Sequence, residues 1–267
     1  MAVENPSAGG PVLMTNGEIR STARAKLAGK WGRAVLAFVI VTVISGIAGG
    51  VVSFFGEAEP GRVAPALVVM VNLLVVLIEL PLQYGFQTFF LKLVRDQNPS
   101  VERLFDGFQI FWKAVAVQLV RNLLPLLWAL VFFLPGLGLM WLLMYLSPSF
   151  LISYLQNPVA YWTILLGVTA AIAVVVSFRY ALAVYILHDN PDSRTMQVIR
   201  LSSKMMRGRR WKLFMLYLSF IGWAILCLLT LGIGYLFLVP YVEASVAVFY
   251  EDLKRFEAAS AAGEAQA

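Results

Sequence analysis

Four ionisable side chains fall inside long apolar runs: Glu79, Arg121, Arg179 and Glu243. A charge at the centre of a bilayer costs about 2.5–3.5 kcal/mol on insertion scales, so such residues are usually paired, inward-facing or part of a pathway. The signs balance, two and two. Arg121, Arg179 and Glu243 each lie about eight or nine residues from the basic end of their run, a depth of roughly 13 Å, and Glu79 lies somewhat deeper. Gln83, Gln118, Asn122 and Tyr180 are polar company at similar depth, and Pro81, Pro125 and Pro240 can free backbone carbonyls beside them. Several readings stay open. The charges form buried ion pairs that fix helix register, Glu243 with Arg179 and Glu79 with Arg121. They line a substrate or proton pathway. The arginines hold an anionic lipid, or the side chains snorkel to the inner surface.

Other chemistry is sparse. His188, Asp189 and Asp192 are metal-ligand types, but they sit at a helix end beside Asn190-Pro191 and read as terminator and cap residues. The single cysteine, Cys227, lies in an apolar run, so no disulfide forms within the chain and CxxC metal spacing is absent. There is no phosphate-binding glycine loop, nucleophile elbow, HExxH or paired-carboxylate motif. The expectation is a non-enzymatic protein with no metal and no cofactor. A basic amphipathic run is the clearer feature: Arg200, Lys204, Arg207, Arg209, Arg210 and Trp211 make a candidate lipid-head-group surface. Each basic residue near an anionic leaflet is worth about 1 kcal/mol. The basic residues flank apolar runs and no soluble basic domain exists, which argues against nucleic acid.

The elements that must position these residues are membrane helices. Apolar residues make up 60% of the 267 positions and charged residues only 13%, and mean hydropathy is +0.78. A soluble domain carries about 25% charged residues. Six runs qualify as spans, over 34–55, 63–84, 114–134, 161–187, 213–231 and 235–250, the third closed by Pro135-Gly136. Basic amphipathic helices are expected before the first, third and fifth. The first covers 18–30 with Ile19, Ala23 and Leu27 as its stripe. The second has Val101, Leu104, Phe105 and Phe108, and the third covers 193–207 with Val198, Leu201 and Met205. Residues 138–158 read as two short interfacial helices, a re-entrant hairpin being the alternative. Gly46 and Gly50 predict a close helix contact.

The fold expected is therefore all-α and polytopic, with about six transmembrane helices arranged as three repeats of an interfacial helix followed by a membrane hairpin. Arg20 precedes Trp31, and Arg200 precedes Trp211, by the same eleven residues, which relates the first unit to the third. Residues 1–17 and 257–267 read as disordered tails around a membrane domain over 18–256. Lysine and arginine gather on one side of the spans, with only Arg62 opposite. The positive-inside rule then places both termini in the cytoplasm of a cell whose inner membrane holds the protein. The lipid bilayer, its anionic phospholipids in particular, is the expected partner.

The stretch LSSKMMRGRRWKLFMLYLSFIGWAILCLLTLGIGYLFLVPYVEASVAVFYEDL, from Leu201 to Leu253, resembles the C-terminal signature of a family of uncharacterised bacterial integral membrane proteins, domain-of-unknown-function family 975. IRSTARAKLAGKW, FLPG and YILHDNPD resemble its other landmarks. In that family the PG after the third span leads almost directly into the fourth. Here about forty residues intervene before Ser177-Phe178-Arg179-Tyr180, so the outer-side architecture departs from the pattern. The resemblance implies a polytopic inner-membrane protein and implies no reaction. The function expected is a membrane scaffold, or a protein that interacts with lipid or partners. The alternative is a small transporter or lipid-handling protein using the buried Glu/Arg core.

Overall fold

The computed structural model describes residues 12–56 and 64–266. The first eleven residues and Arg62 lie outside them. All regular structure among the described residues is helical, and five helices are long and apolar enough to cross a bilayer, which is what a multi-pass membrane protein requires.

Helix α1 (Asn16–Leu27) starts on a capping box. Thr15 Oγ1 accepts from the Glu18 N–H at 3.3 Å, and the Glu18 carboxylate accepts from the Thr15 N–H at 2.6 Å. Its stripe of Ile19, Ala23 and Leu27 is fully buried. The chain turns at Gly29, whose φ of 72° suits a residue without a Cβ, into α2 (Trp31–Gly56). Helix α3 (Pro65–Val94) opens with proline at its first position and carries Pro81 within it.

The amphipathic helix expected next is a 3-10 turn, Val101–Phe105, followed by the single turn α4 (Asp106–Gln109). Leu104 is buried, but Phe105 and Phe108 face outward, so the predicted stripe is not continuous. The reason is contact with α3 through two glycines. A Cβ on Gly85 would stand 1.7 Å from the Leu104 carbonyl oxygen, and one on Gly107 would stand 2.1 Å from the Pro81 carbonyl oxygen. The segment lies backbone to backbone on α3, and that approach dictates its shape.

Helix α5 (Phe111–Leu146) runs for 36 residues, straight through Pro135-Gly136. The expected stop there is wrong. Gly136 serves helix packing instead, since a Cβ on it would come within 2.7 Å of Leu165 Cδ1 on α7. Leu139–Tyr145 is accordingly the end of α5, and only one short helix, α6 (Pro148–Gln156), follows. Ser147 caps α6 and Asn157 caps α7 (Pro158–Ser177), each with proline next in sequence. From Asn122 to Phe178 the sequence contains no aspartate, glutamate, lysine or arginine.

The fourth apolar run does not continue unbroken to Leu187. After α7 come a 3-10 turn, Phe178–Tyr180, and α8 (Ala183–Asp189). The Ser202 hydroxyl donates to the Arg179 carbonyl at 3.2 Å and so satisfies a group that the break leaves without a helical partner. Helix α9 (Thr195–Met205) is followed by a turn with Gly208 at φ 76°. The fifth run is two helices, α10 (Arg210–Leu218) and α11 (Ile221–Leu229), interrupted at Ser219-Phe220. A turn with Leu231 and Gly232 at positive φ leads into α12 (Tyr235–Gln266). The expected sixth span is the first half of α12. It is not among the five stretches apolar enough to cross, since its first 18 residues include Glu243, Glu251 and Asp252. Residues 257–266, expected as a tail, continue α12, and the Met14 N–H donates to Asp252 Oδ2 at 3.0 Å.

The buried core lies at one end of the bundle. It is built mainly from α1, the last three turns of α3, Leu104, the start of α5, α8, α9 and the residues of α12 from Ala244 to Leu253. Towards the other end the helices present large apolar side chains outward, among them Ile47, Phe54, Leu73, Val131, Trp141, Val168 and Leu228. Lipid tails are as apolar as leucine, so no hydrophobic force drives these surfaces together. Gly46, Gly49 and Gly50 have open space where a Cβ would stand, and the helix contact predicted from Gly46 and Gly50 is not formed.

Candidate functional site

The four intramembrane charges do not pair with one another. Arg121 donates to Gln87 Oε1 at 2.9 Å and to Gln118 Oε1 at 3.4 Å. Glu79 is half-buried, and no lysine or arginine lies within ion-pair distance of Glu79 or Glu243 among the described residues. Arg179 donates through Nε to Ser203 Oγ at 2.5 Å and lies 5.9 Å from the Tyr180 ring centroid. The pairs Glu243–Arg179 and Glu79–Arg121 are therefore corrected. Amides and a hydroxyl take their place, at lower desolvation cost than buried carboxylates. Gln83 faces outward, one helical turn from Gln87, which makes the contact.

Both arginines reach cavities at the level of the spans. Arg121 and Asn122 line a cavity of about 720 Å³ between α5, α7 and α10, with Pro125, Phe178, Phe214 and Tyr217. Arg179 and Arg210 line a separate groove of about 510 Å³, whose walls are Trp128 and Phe132 of α5 and Ile172 and Val175 of α7. The Arg210 Nε is buried without a hydrogen-bond partner. Arg179 reaches this groove because the helix breaks at Phe178–Tyr180, and Ser203 on α9 fixes its guanidinium.

At the basic end a network that sequence reasoning missed holds α3, α8 and α12 together. Arg95 donates Nη1 and Nη2 to Asp189 at 2.7 and 2.9 Å and Nε to Glu251 at 2.8 Å. Tyr250 and Lys254 also donate to Asp189, at 2.8 and 2.6 Å. Burial opposes the charge on Arg95, and the hydrogen bonds to Asp189 and Glu251 more than offset it, so its proton is held more tightly than in water. Asp189 thus belongs to an ion-pair network. Lys26 of α1 and Lys30 in the turn after it both bind Asp96, and their hydrogen bonds lower its carboxyl to about 2. Lys92 pairs with Asp106 at 2.5 Å. These pairs join residues remote in sequence, which is why spacing alone did not reveal them.

The six residues of the predicted head-group surface divide. Arg209 donates to Glu257 at 3.1 Å and stands over the Phe256 ring, so it ties α10 to α12. Arg210 turns into the groove. Arg200, Lys204 and Arg207 are exposed and have no acidic partner among the described residues, and Trp211 beside them is 68% exposed.

An all-helical bundle with five helices able to cross a bilayer, and arginine-lined cavities between them, is compatible with a multi-pass membrane protein. The family model described as "Protein of unknown function (DUF975)" matches residues 14–257, and the chain belongs to that family. Neither the curated proteins nor the solved structures yield a match.

Proposed function

We propose that the chain is a non-enzymatic protein of the bacterial inner membrane that gathers anionic phospholipid, and through it other membrane components, at a basic cytoplasmic face. One observation carries this reading. Eight lysines and arginines of the basic end are held in ion pairs, whereas Arg200 and Lys204 on α9, and Arg207 just after it, are exposed beside Trp211 with no acidic partner among the described residues. Unpaired cations next to an interfacial tryptophan suit phosphate-rich head groups. Six crossings, with α12 as the sixth, put both termini on that face. α1 and α9 are each followed within three residues by a glycine of positive φ and then a tryptophan, which supports a repeated unit. The Arg121 cavity favours the second reading, a small transporter or lipid-handling protein.

The test is the lipid content of particles cut directly from the membrane with a styrene–maleic acid copolymer. Around the full chain, phosphatidylglycerol and other anionic lipids should be enriched over the bulk membrane. The triple variant Arg200→Gln, Lys204→Gln, Arg207→Gln should lose most of that enrichment while remaining folded. Equal lipid composition around both proteins would remove the reading.

A further inference from the structure

We infer that the groove between α5 and α7 is a binding site for a single anionic phospholipid, with its phosphate on Arg179 and Arg210 and one acyl chain along Trp128, Phe132, Ile172 and Val175. This deepens the reading above and rests on it for the presence of a bilayer and for which end is cytoplasmic.

Charge complementarity selects the occupant. Two guanidinium groups line the groove and no carboxylate does. Arg179 is pinned by Ser203 through Nε, and its two terminal nitrogens make no hydrogen bond with the described residues. The Arg210 Nε, buried and unpartnered, is a donor awaiting an acceptor. A phosphodiester supplies several acceptor oxygens, and guanidinium groups are suited to phosphate. The rest of the lining is aliphatic and aromatic, which suits a hydrocarbon chain and excludes a free inorganic anion as the natural occupant.

Depth supports the same occupant. α7 begins at Pro158, and Arg179 follows it by about 32 Å of helix rise, one full hydrocarbon thickness. Arg179 therefore stands at the head-group boundary of the cytoplasmic leaflet, not in the middle of the bilayer as the uninterrupted apolar run suggested. From Arg179 back to Val168, the far end of the groove, the rise is about 16 Å, the length of one leaflet's chain region.

Native mass spectrometry of the full chain, released from nanodiscs of equal phosphatidylglycerol and phosphatidylcholine, tests this. Wild-type protein should retain one phosphatidylglycerol at about tenfold preference. Arg179→Gln with Arg210→Gln should abolish the preference. Val175→Phe, which leaves both arginines and fills the groove, should lose the retained lipid, and it decides the matter if the arginine variant does not fold. The triple variant at Arg200, Lys204 and Arg207 should keep the retained lipid. Phosphatidylglycerol retained equally by the wild type and both groove variants overturns the site. Loss of it only in the triple variant also overturns the site and leaves the broader reading standing. Retention in the groove without enrichment around the protein overturns only the broader reading.

Discussion

At the residue scale the informative atoms are those that bind Arg95. Its guanidinium meets Asp189 through two nitrogens and Glu251 through two, and Asp189 is further held by Tyr250 and Lys254. The Asp189 side chain is only 10% exposed. Arg95→Ala leaves two carboxylates facing each other in a half-buried site, which is costlier than losing the pair alone. The expected destabilisation is about 2–4 kcal/mol, seen as a lower unfolding temperature in detergent. An equal melting temperature for the variant would show that the network does not hold α3 to α8 and α12. None of this was visible in the sequence. Asp189 read as a helix terminator beside Asn190-Pro191 and Glu251 was not singled out at all, because their shared partner, Arg95, lies 94 and 156 positions away. Arg179 shows the opposite case. Its importance was legible as a charge in an apolar run, but the break beside it was not, since only the structure shows that α7 ends at Ser177 and a 3-10 turn follows.

At the element scale, glycine and proline were read as punctuation, and the structure uses several of them as contacts. Gly85 and Gly107 let the segment 101–109 lie on the backbone of α3, and Gly136 lets Leu165 approach α5. Gly85→Ala places a methyl group where the Leu104 carbonyl oxygen already stands, and backbone cannot yield as a flexible side chain does. Displacement of the 101–109 segment should cost about 2–3 kcal/mol or more and make that segment the first site of limited proteolysis. Unchanged cleavage at 101–109 would contradict the contact. Gly46→Ala, by comparison, should be silent, since open space surrounds that position. The helices themselves were largely legible, because apolar length is a strong signal. Their joints were not. Pro135 did not end α5, and no sequence pattern singled out Ser202 and Ser203 of α9, which support the break after α7.

At the scale of the whole molecule, the bundle is packed at its basic end and spread towards the other. That asymmetry follows from solvent. Near the head groups, water makes burial of Ile19, Phe89, Leu104 and Phe249 favourable, and ion pairs between remote elements close the same end. Along the hydrocarbon the helices need only satisfy their own backbones. The predicted topology has a direct check. In a Cys227→Ser background, a cysteine at Ser153 on α6 should react with a membrane-impermeant maleimide in intact spheroplasts, and one at Ser260 on α12 only after lysis. Reaction at Ser260 in intact spheroplasts would invert the assignment of faces.

The contact between the first helix and the last also sets a schedule. Met14 meets Asp252 across 238 positions and Arg20 meets Tyr241 across 221. Ribosomes add about 5–20 residues per second, so α1 is made roughly 10–50 s before the helix that will cover it. Throughout that interval the part of α1 that α12 will cover has no partner there. A stripe that can rest on the bilayer surface gives the nascent chain a place to wait, and a chain cut short before α12 has lost the means to leave it. Truncated products of this protein are, on that timetable, born as membrane-bound substrates for quality-control proteolysis.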